Sequence, residues 1–342
     1  MSKPRVGITL GDVAGIGPEI VLKSCLEERV YDFCHPVVIG DKRVVDMVIQ
    51  DFDFSLEVHV IEDTNDGRYE TGVVNLIDLG NIDMDHFAYG TVSANAGQAA
   101  YDYIAKGVEL FNAGQVDVIA TSPINKEALK AAEVPYIGHT EILGGLTNVT
   151  DPLTMFEVDS LRVFFLSRHV SLRKAIDMVK KERLVDYIKR SIIELDKLGV
   201  KGTLIVSGLN PHNGENGLFG DEEMTDIIPA IKECQALGLD VAGPIPADSV
   251  FYKGFNENCS AVLSLFHDQG HIATKTYDFH RTISLTLGMP LLRTSVDHGT
   301  AFDIAGQNIA DPISMIEAIV LAAKYGDYAK KGSMSRIGVL NK

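Results

Sequence analysis

The sequence predicts an α/β protein on a largely parallel or mixed sheet, and three observations predict it. Short runs rich in β-branched residues recur along the chain, separated by longer segments with helical periodicity. Several of the short runs are apolar throughout, as strands covered on both faces are. With 342 residues, 46% of them hydrophobic, the chain can bury a large core, and its length favours two domains over one.

In chain order, RVGITL (5–10) reads as the first strand and leads into the glycine-rich GDVAGIGPEI (11–20). There Pro18 takes a first-turn position of a helix running through Val21, Leu22 and Cys25. PVVIG (36–40) and LEVHVI (56–61) follow as strands. Ser93 caps a long helix that ends at Gly114 and aligns Ile104, Val108 and Phe111 on one face. VDVIAT (116–121) is the next strand, followed by loop chemistry at SPINKE (122–127). LRVFFL (161–166) precedes the helix SLRKAIDMVKK (171–181), with Ser171 as its cap. TLIVS (203–207) runs into the loop GLNPHNGENG (208–217), and the helix at 220–238 opens with acids, as a helix N-terminus prefers. GPIPADS (243–249) and HDQGH (267–271) read as loops, AVLSL (261–265) and ISLTLG (283–288) as strands, and IEAIVLAAKYG (316–326) as a core helix. No internal repeat, low-complexity tract or linker is present.

A net charge of −16 sets a field that repels nucleic acid and anionic membrane surfaces, so neither is an expected partner. An anionic substrate then needs local cations or a metal. The four cysteines show no ligand spacing and read as reduced thiols. No apolar run reaches signal-peptide or membrane-spanning length, so cytoplasm is the expected compartment.

The glycine-rich segment 11–20 invites a nucleotide-loop reading that its residues refuse. A Rossmann GxGxxG fits Gly15 and Gly17 but meets Ile20 at the third position, and Pro18-Glu19 stands where a P-loop needs its lysine and hydroxyl. Asp12 and Glu19 would repel phosphate. A tight strand-to-helix turn, with glycine supplying positive φ, is the local expectation.

Among ten histidines, His35, His59 and His86 lack a chemical context, and His271 and His280 are ambiguous. His139 sits in YIGHTEIL, while His169, His212 and His267 each follow a strand-like run. Strand ends of open α/β sheets are where ligand sites form, and three converging imidazoles would suit a divalent metal with open positions. The spacing from 169 to 267 is not itself a metal motif.

GDVAGIGPE together with SVDHGTAFDIAGQNIADP (295–312) resembles segments of isopropylmalate and isocitrate dehydrogenases, which bind NAD(P) without a Rossmann domain. The resemblance implies an adenosine loop at 298–311, with Gly299, Thr300, Asp303 and Asp311 as cofactor contacts. An acid at Asp303 accepts from the ribose hydroxyls and implies NAD rather than NADP. GDVAGIGPE, GHTE, GLNPHNGE, GPIPAD, HDQG and LGMPLLRTSVDHGTAFDIAG, in this order, resemble the 4-hydroxythreonine-4-phosphate dehydrogenase family over essentially the whole chain. HTEIL, HVSLRKA, GENGLFGDEE and HDQGHI look more like its branch acting on 4-phospho-D-threonate and 4-phospho-D-erythronate than like the vitamin B6 branch.

That resemblance implies metal ligands at His169, His212 and His267, and substrate contacts at His139, Thr140, Lys275 and Arg293. Ser284 stands where the family has an asparagine, and a serine is shorter and lacks the amide donors. Three nitrogen donors favour Zn, Co or Mn over Mg. Lys275, Asp248 and a metal-bound hydroxide are the candidate general bases, and Asp248 and Asp268 are candidate partners orienting the imidazoles. The implied fold is a two-domain α/β/α architecture of the isocitrate/isopropylmalate dehydrogenase type, with the active site in the interdomain cleft and completed across a homodimer interface. Residues 1–120 plus 285–342 would carry the cofactor loop, and 121–284 the metal, substrate and dimer contacts.

The expected activity is NAD- and metal-dependent oxidation and decarboxylation of a 4-phosphorylated four-carbon hydroxy acid to dihydroxyacetone phosphate. The alternative within the family is 4-phosphohydroxy-L-threonine dehydrogenase of pyridoxal phosphate biosynthesis. Outside it stand a metal-dependent phosphatase or hydrolase, which leaves HGTAFDIAG unused, and a non-catalytic metabolite-binding protein, which only Ser284 favours. NADH formation separates the first from the second, and turnover from the third.

Overall fold

The computed structural model describes residues 3–332. The strands are β1 (Arg5–Thr9), β2 (His35–Gly40), β3 (Glu57–Val60), β4 (Val73–Asp78), β5 (Val118–Thr121), β6 (Leu153–Val158), β7 (Leu161–Phe165), β8 (Thr203–Ser207), β9 (Val241–Ile245), β10 (Cys259–Ser264), β11 (Ile283–Leu287) and β12 (Arg293–Ser295). The α-helices that matter below are α1 (Gly17–Ser24), α2 (Glu28–Phe33), α3 (Lys42–Phe52), α4 (Ala94–Asn112), α5 (Lys126–Ala131), α6 (His139–Thr147), α7 (Leu172–Asp177), α8 (Lys181–Leu198), α9 (Ile228–Ala236), α10 (Ala247–Asn256), α11 (His267–Tyr277) and α12 (Ile313–Lys324). The protein is mixed α/β. Among the described residues no helix is long and apolar enough to cross a membrane.

The described residues divide into two compact units, one comprising 3–152 with 283–329, the other 153–282 with 330–332; the end of the expected 285–342 segment, 333–342, lies outside the described residues. The first boundary falls beyond the expected residue 120. Leu129 of α5 and Ile142 and Leu143 of α6 share a core with Ile104 and Val108 of α4 and Ile119 of β5, which ties 121–152 to the first unit.

In the first unit the strand order is β3-β4-β2-β1-β5-β12-β11. Its pairs are parallel except β11 with β12. The carboxyl ends of β1, β5 and β12 therefore share one edge, where the antiparallel β11 begins. Ile119 packs with α4. Thr294, in register with Ala120 on the opposite face, donates to the Ala318 carbonyl of α12 at 2.8 Å. Successive residues of a strand face opposite ways, so helices cover both faces. As expected, Ser93 caps α4 by accepting from the Ala96 amide.

In the second unit the order is β6-β7-β10-β8-β9. β7, β10, β8 and β9 are mutually parallel, and β6 forms an antiparallel hairpin with β7. Val250 of α10 seals one face with Val163, Ile205 and Val262. Ser171 does cap a helix, but α7 ends at Asp177 and α8 starts at Lys181. HDQGH, expected as a loop, is the first turn of α11, and GPIPADS spans the end of β9 and the start of α10. A Cβ on Gly270 would lie 2.5 Å from the Phe165 ring and 2.7 Å from Ser264 Oγ, so this glycine serves close helix-on-strand packing rather than a turn.

Candidate active site

The second unit gathers histidines at one sheet edge. Because β7, β10, β8 and β9 run parallel and side by side, the segments leaving their carboxyl ends emerge together. Those segments carry His169, His267, His212 and Asp248 respectively. The rings of His169 and His267 lie 5.9 Å apart between centroids, and Asp268 Oδ1 is 2.7 Å from His267 Nδ1. His212 is exposed in a left-handed stretch from 212 to 216. Asp248 is exposed in the first turn of α10. Among the described residues no three His, Cys, Asp or Glu side chains form a metal-holding group. The donor chemistry suits a borderline divalent ion, with two of the three expected imidazoles already neighbours.

His271, ambiguous in sequence, is buried beneath this pair. Its ring sits 4.1 Å from His267, 4.4 Å from Phe156 and 4.6 Å from Phe165. Burial, then the neighbouring His267 and Lys275, push its pKa down to about 3, so the ring is neutral. Lys275 lies in the last turn of α11, over the ring of Phe279 at 5.2 Å.

Glu223 is a second residue that sequence reading missed, having counted it only as a helix-start acid. Its buried carboxylate accepts from the amides of Leu209 and Asn210 at 2.8 and 2.7 Å and from Asn210 Nδ2 at 2.8 Å. Gln269 Nε2 bonds the Gly208 carbonyl at 2.9 Å, and Asn213 Nδ2 bonds that of Pro244. The loop bearing His212 is thus tied to α11 and to β9. A GDEE start looks the same whether its acids cap a helix or organise a loop.

In the first unit Arg293 is 6% exposed, with its guanidinium aimed by Thr121 Oγ1 at 2.8 Å and Thr286 Oγ1 at 3.2 Å. His139 and Thr140, half-buried, open α6. Burial first, and then the Arg293 charge, hold the His139 pKa well below 6.5, against a hydrogen bond to the Ser122 backbone. Its Nε2 is buried without a hydrogen-bond partner, as are Asp12 Oδ2, Thr9 Oγ1 and Ser122 Oγ at the ends of β1 and β5. Asp12 is fully buried, and burial raises its pKa to about 6 against one hydrogen bond from the Ala14 amide. Ser284 is half-buried and pairs with Ser295 across β11 and β12.

A family model described as "Pyridoxal phosphate biosynthetic protein PdxA" matches residues 32–322. The chain belongs to the PdxA family. It is 58% identical over 323 residues, 94% of this chain and 97% of the relative, to a Fusobacterium nucleatum protein named "Putative D-threonate 4-phosphate dehydrogenase". Solved structures named 4-hydroxythreonine-4-phosphate dehydrogenase, from Burkholderia phymatum and Klebsiella pneumoniae, superpose with TM-scores of 0.86 and 0.89. They are 42% and 36% identical, each covering 95% of this chain and 99% and 98% of the respective structures.

In this PdxA-family chain the segment expected to hold a cofactor is unevenly exposed. Gly299 and Asp303 are exposed, whereas Thr300 is buried and its carbonyl accepts from the Ile16 amide. Asp311 spends one oxygen on the Ile313 amide at the start of α12. An exposed carboxylate on an anchored loop fits a ribose diol, and Asp303 is the residue with that character. The glycine expectation for segment 11–20 holds in part, since positive φ occurs at Gly11 but not at Gly15 or Gly17.

Proposed function

We propose that the protein is an oxidoreductase that oxidises a 4-phosphorylated four-carbon hydroxy acid with NAD and a divalent metal, after which the β-keto acid loses CO2. 4-Phospho-D-threonate or 4-phospho-D-erythronate is the favoured substrate and dihydroxyacetone phosphate the product. The observation that carries this choice is the 58% identity to a protein named for D-threonate 4-phosphate, against 36–42% to those named for 4-hydroxythreonine 4-phosphate.

NAD, when bound at the 298–311 loop, would supply the hydride acceptor for the carbinol carbon, while the hydroxyl proton would pass to a base of this chain. Loss of CO2 then leaves an enolate, which takes up a proton. His169, His212 and His267 would hold the metal, which when bound supplies Lewis acidity toward the reacting oxygen; Zn, Co or Mn suits these donors better than Mg. Asp268 orients His267 through its Nδ1 contact. Arg293, aimed by two threonine hydroxyls, supplies a planar cation suited to phosphate. Neutral His139 offers its unspent Nε2, and Thr140 and Ser284 offer hydroxyls. Lys275 adds positive charge against the −16 of the chain and, with Asp248, remains a candidate base. Asp303 would accept from the ribose hydroxyls of NAD, with Gly299, Thr300 and Asp311 as further cofactor contacts. The working form is a homodimer, which light scattering of the purified protein tests.

The deciding assay supplies NAD and Zn, Co, Mn or Mg with each of the three phosphorylated acids and follows NADH absorbance. NADH from the threonate or erythronate ester is the expected result. Phosphate release without NADH, or preference for 4-phosphohydroxy-L-threonine, overturns the reading.

A further inference from the structure

The glycine-rich segment that does not fit a phosphate cradle makes a different set of contacts. Ile16 N donates to the Thr300 carbonyl at 3.0 Å. A Cβ on Gly15 would stand 2.6 Å from that same oxygen and 2.8 Å from Thr300 Cβ, so the approach requires glycine. In the first turn of α1, Glu19 is 3% exposed, and its Oε1 accepts from the Ala310 amide at 2.8 Å and from Lys23 Nζ at 2.7 Å. Lys23 in turn donates to the carbonyls of Ala310 at 2.9 Å and Asn308 at 3.3 Å. The segment 300–310 is therefore fastened at both ends to one loop and one helix, and Asp303 is exposed between the fastenings.

We propose that Glu19, with Lys23, is a positioning residue that latches the 300–310 loop and thereby sets the affinity for the dinucleotide. This rests on the reading of that loop as the NAD contact. The physical basis is a buried carboxylate accepting a backbone amide. Removing it leaves the Ala310 N–H unpaired or releases the loop to find water. Lys23 neutralises Glu19, so the latch adds no net negative charge beside a cofactor that carries phosphates. Gly15 and Glu19, which make no phosphate cradle, thus serve the cofactor indirectly, by holding the element that would touch it.

The test uses the full-length protein and the variants Glu19→Ala, Glu19→Gln and Lys23→Met. Hydrogen exchange is followed at the Ala310 amide and across 300–310, and NAD affinity is followed by calorimetry. Glu19→Ala is expected to speed local exchange and to raise the NAD Kd, each by about tenfold or more. Glu19→Gln keeps an acceptor and should fall between it and the wild type, with kcat at saturating NAD within about twofold. Lys23, half-buried where Glu19 is buried, provides a second, milder variant should Glu19→Ala fail to fold. Unchanged local exchange overturns the latch, and faster exchange with an unchanged NAD Kd overturns its role in cofactor binding. A wild-type protein that binds no NAD sinks the underlying reading, and the exchange arm keeps that failure distinct from failure of the latch.

Discussion

Asp12→Asn should stabilise the protein at neutral pH and do little in acid. Asp12 is fully buried, one carboxyl oxygen accepts from Ala14 N at 2.9 Å, and the other has no partner. Burial raises the pKa from 3.8 to about 6. The folded state therefore holds this proton more tightly than the unfolded chain does. The associated stability is complete below the unfolded value of 3.8 and is lost as pH rises through about 6. The full difference corresponds to about 3 kcal/mol, of which about 2 kcal/mol falls between pH 4.5 and 8. Asparagine keeps the acceptor for Ala14 and cannot ionise, so the variant's advantage should grow by about that amount over the interval. Paired urea titrations of the two proteins at both pH values measure it. A difference between them that stays constant with pH would refute the burial argument.

Three other outcomes follow from the geometry. Glu223→Ala should strand the amides of Leu209 and Asn210, cost about 2 kcal/mol and weaken Co(II) binding followed by its visible absorption; unaltered metal affinity would disconnect Glu223 from the His212 loop. Gly270→Ala drives a methyl to 2.5 Å from the Phe165 ring and should lower stability by about 1–3 kcal/mol, seen as a lower urea midpoint; an unchanged midpoint would refute the tight packing of α11. Chelation should abolish NADH formation, with Zn, Co or Mn restoring it better than Mg. Full activity in a metal-free preparation, or in His169→Ala and His267→Ala, would remove the metal from the mechanism.

Strands with three or more consecutive apolar residues, such as β2, β7 and β8, were legible because those side chains are buried whatever lies beside them. β4 and β6 were not, because each carries polar residues inside. Asn75 of β4 exchanges hydrogen bonds with the backbone of Arg68, and Glu157 of β6 pairs with Arg162 across the hairpin at 3.1 Å. Those partners become visible only once the chain has folded back on itself. β9 was hidden by Gly243-Pro244, which an edge strand tolerates because one side of it forms no ladder.

The sequence by itself determined the fold class, the family and the types of donor available, because periodicity, capping and ordered motifs are local properties. Tertiary structure alone decided which donors meet. The order β7-β10-β8-β9 brings segments far apart in the chain to one edge, and no local spacing encodes strand order. It also decided that Glu19 and Glu223 are buried organisers, and that His271 is a buried ring packed under His267, rather than surface charge or background. Burial and hydrogen-bond pairing depend on what packs against a side chain, and that is settled only when distant segments come together.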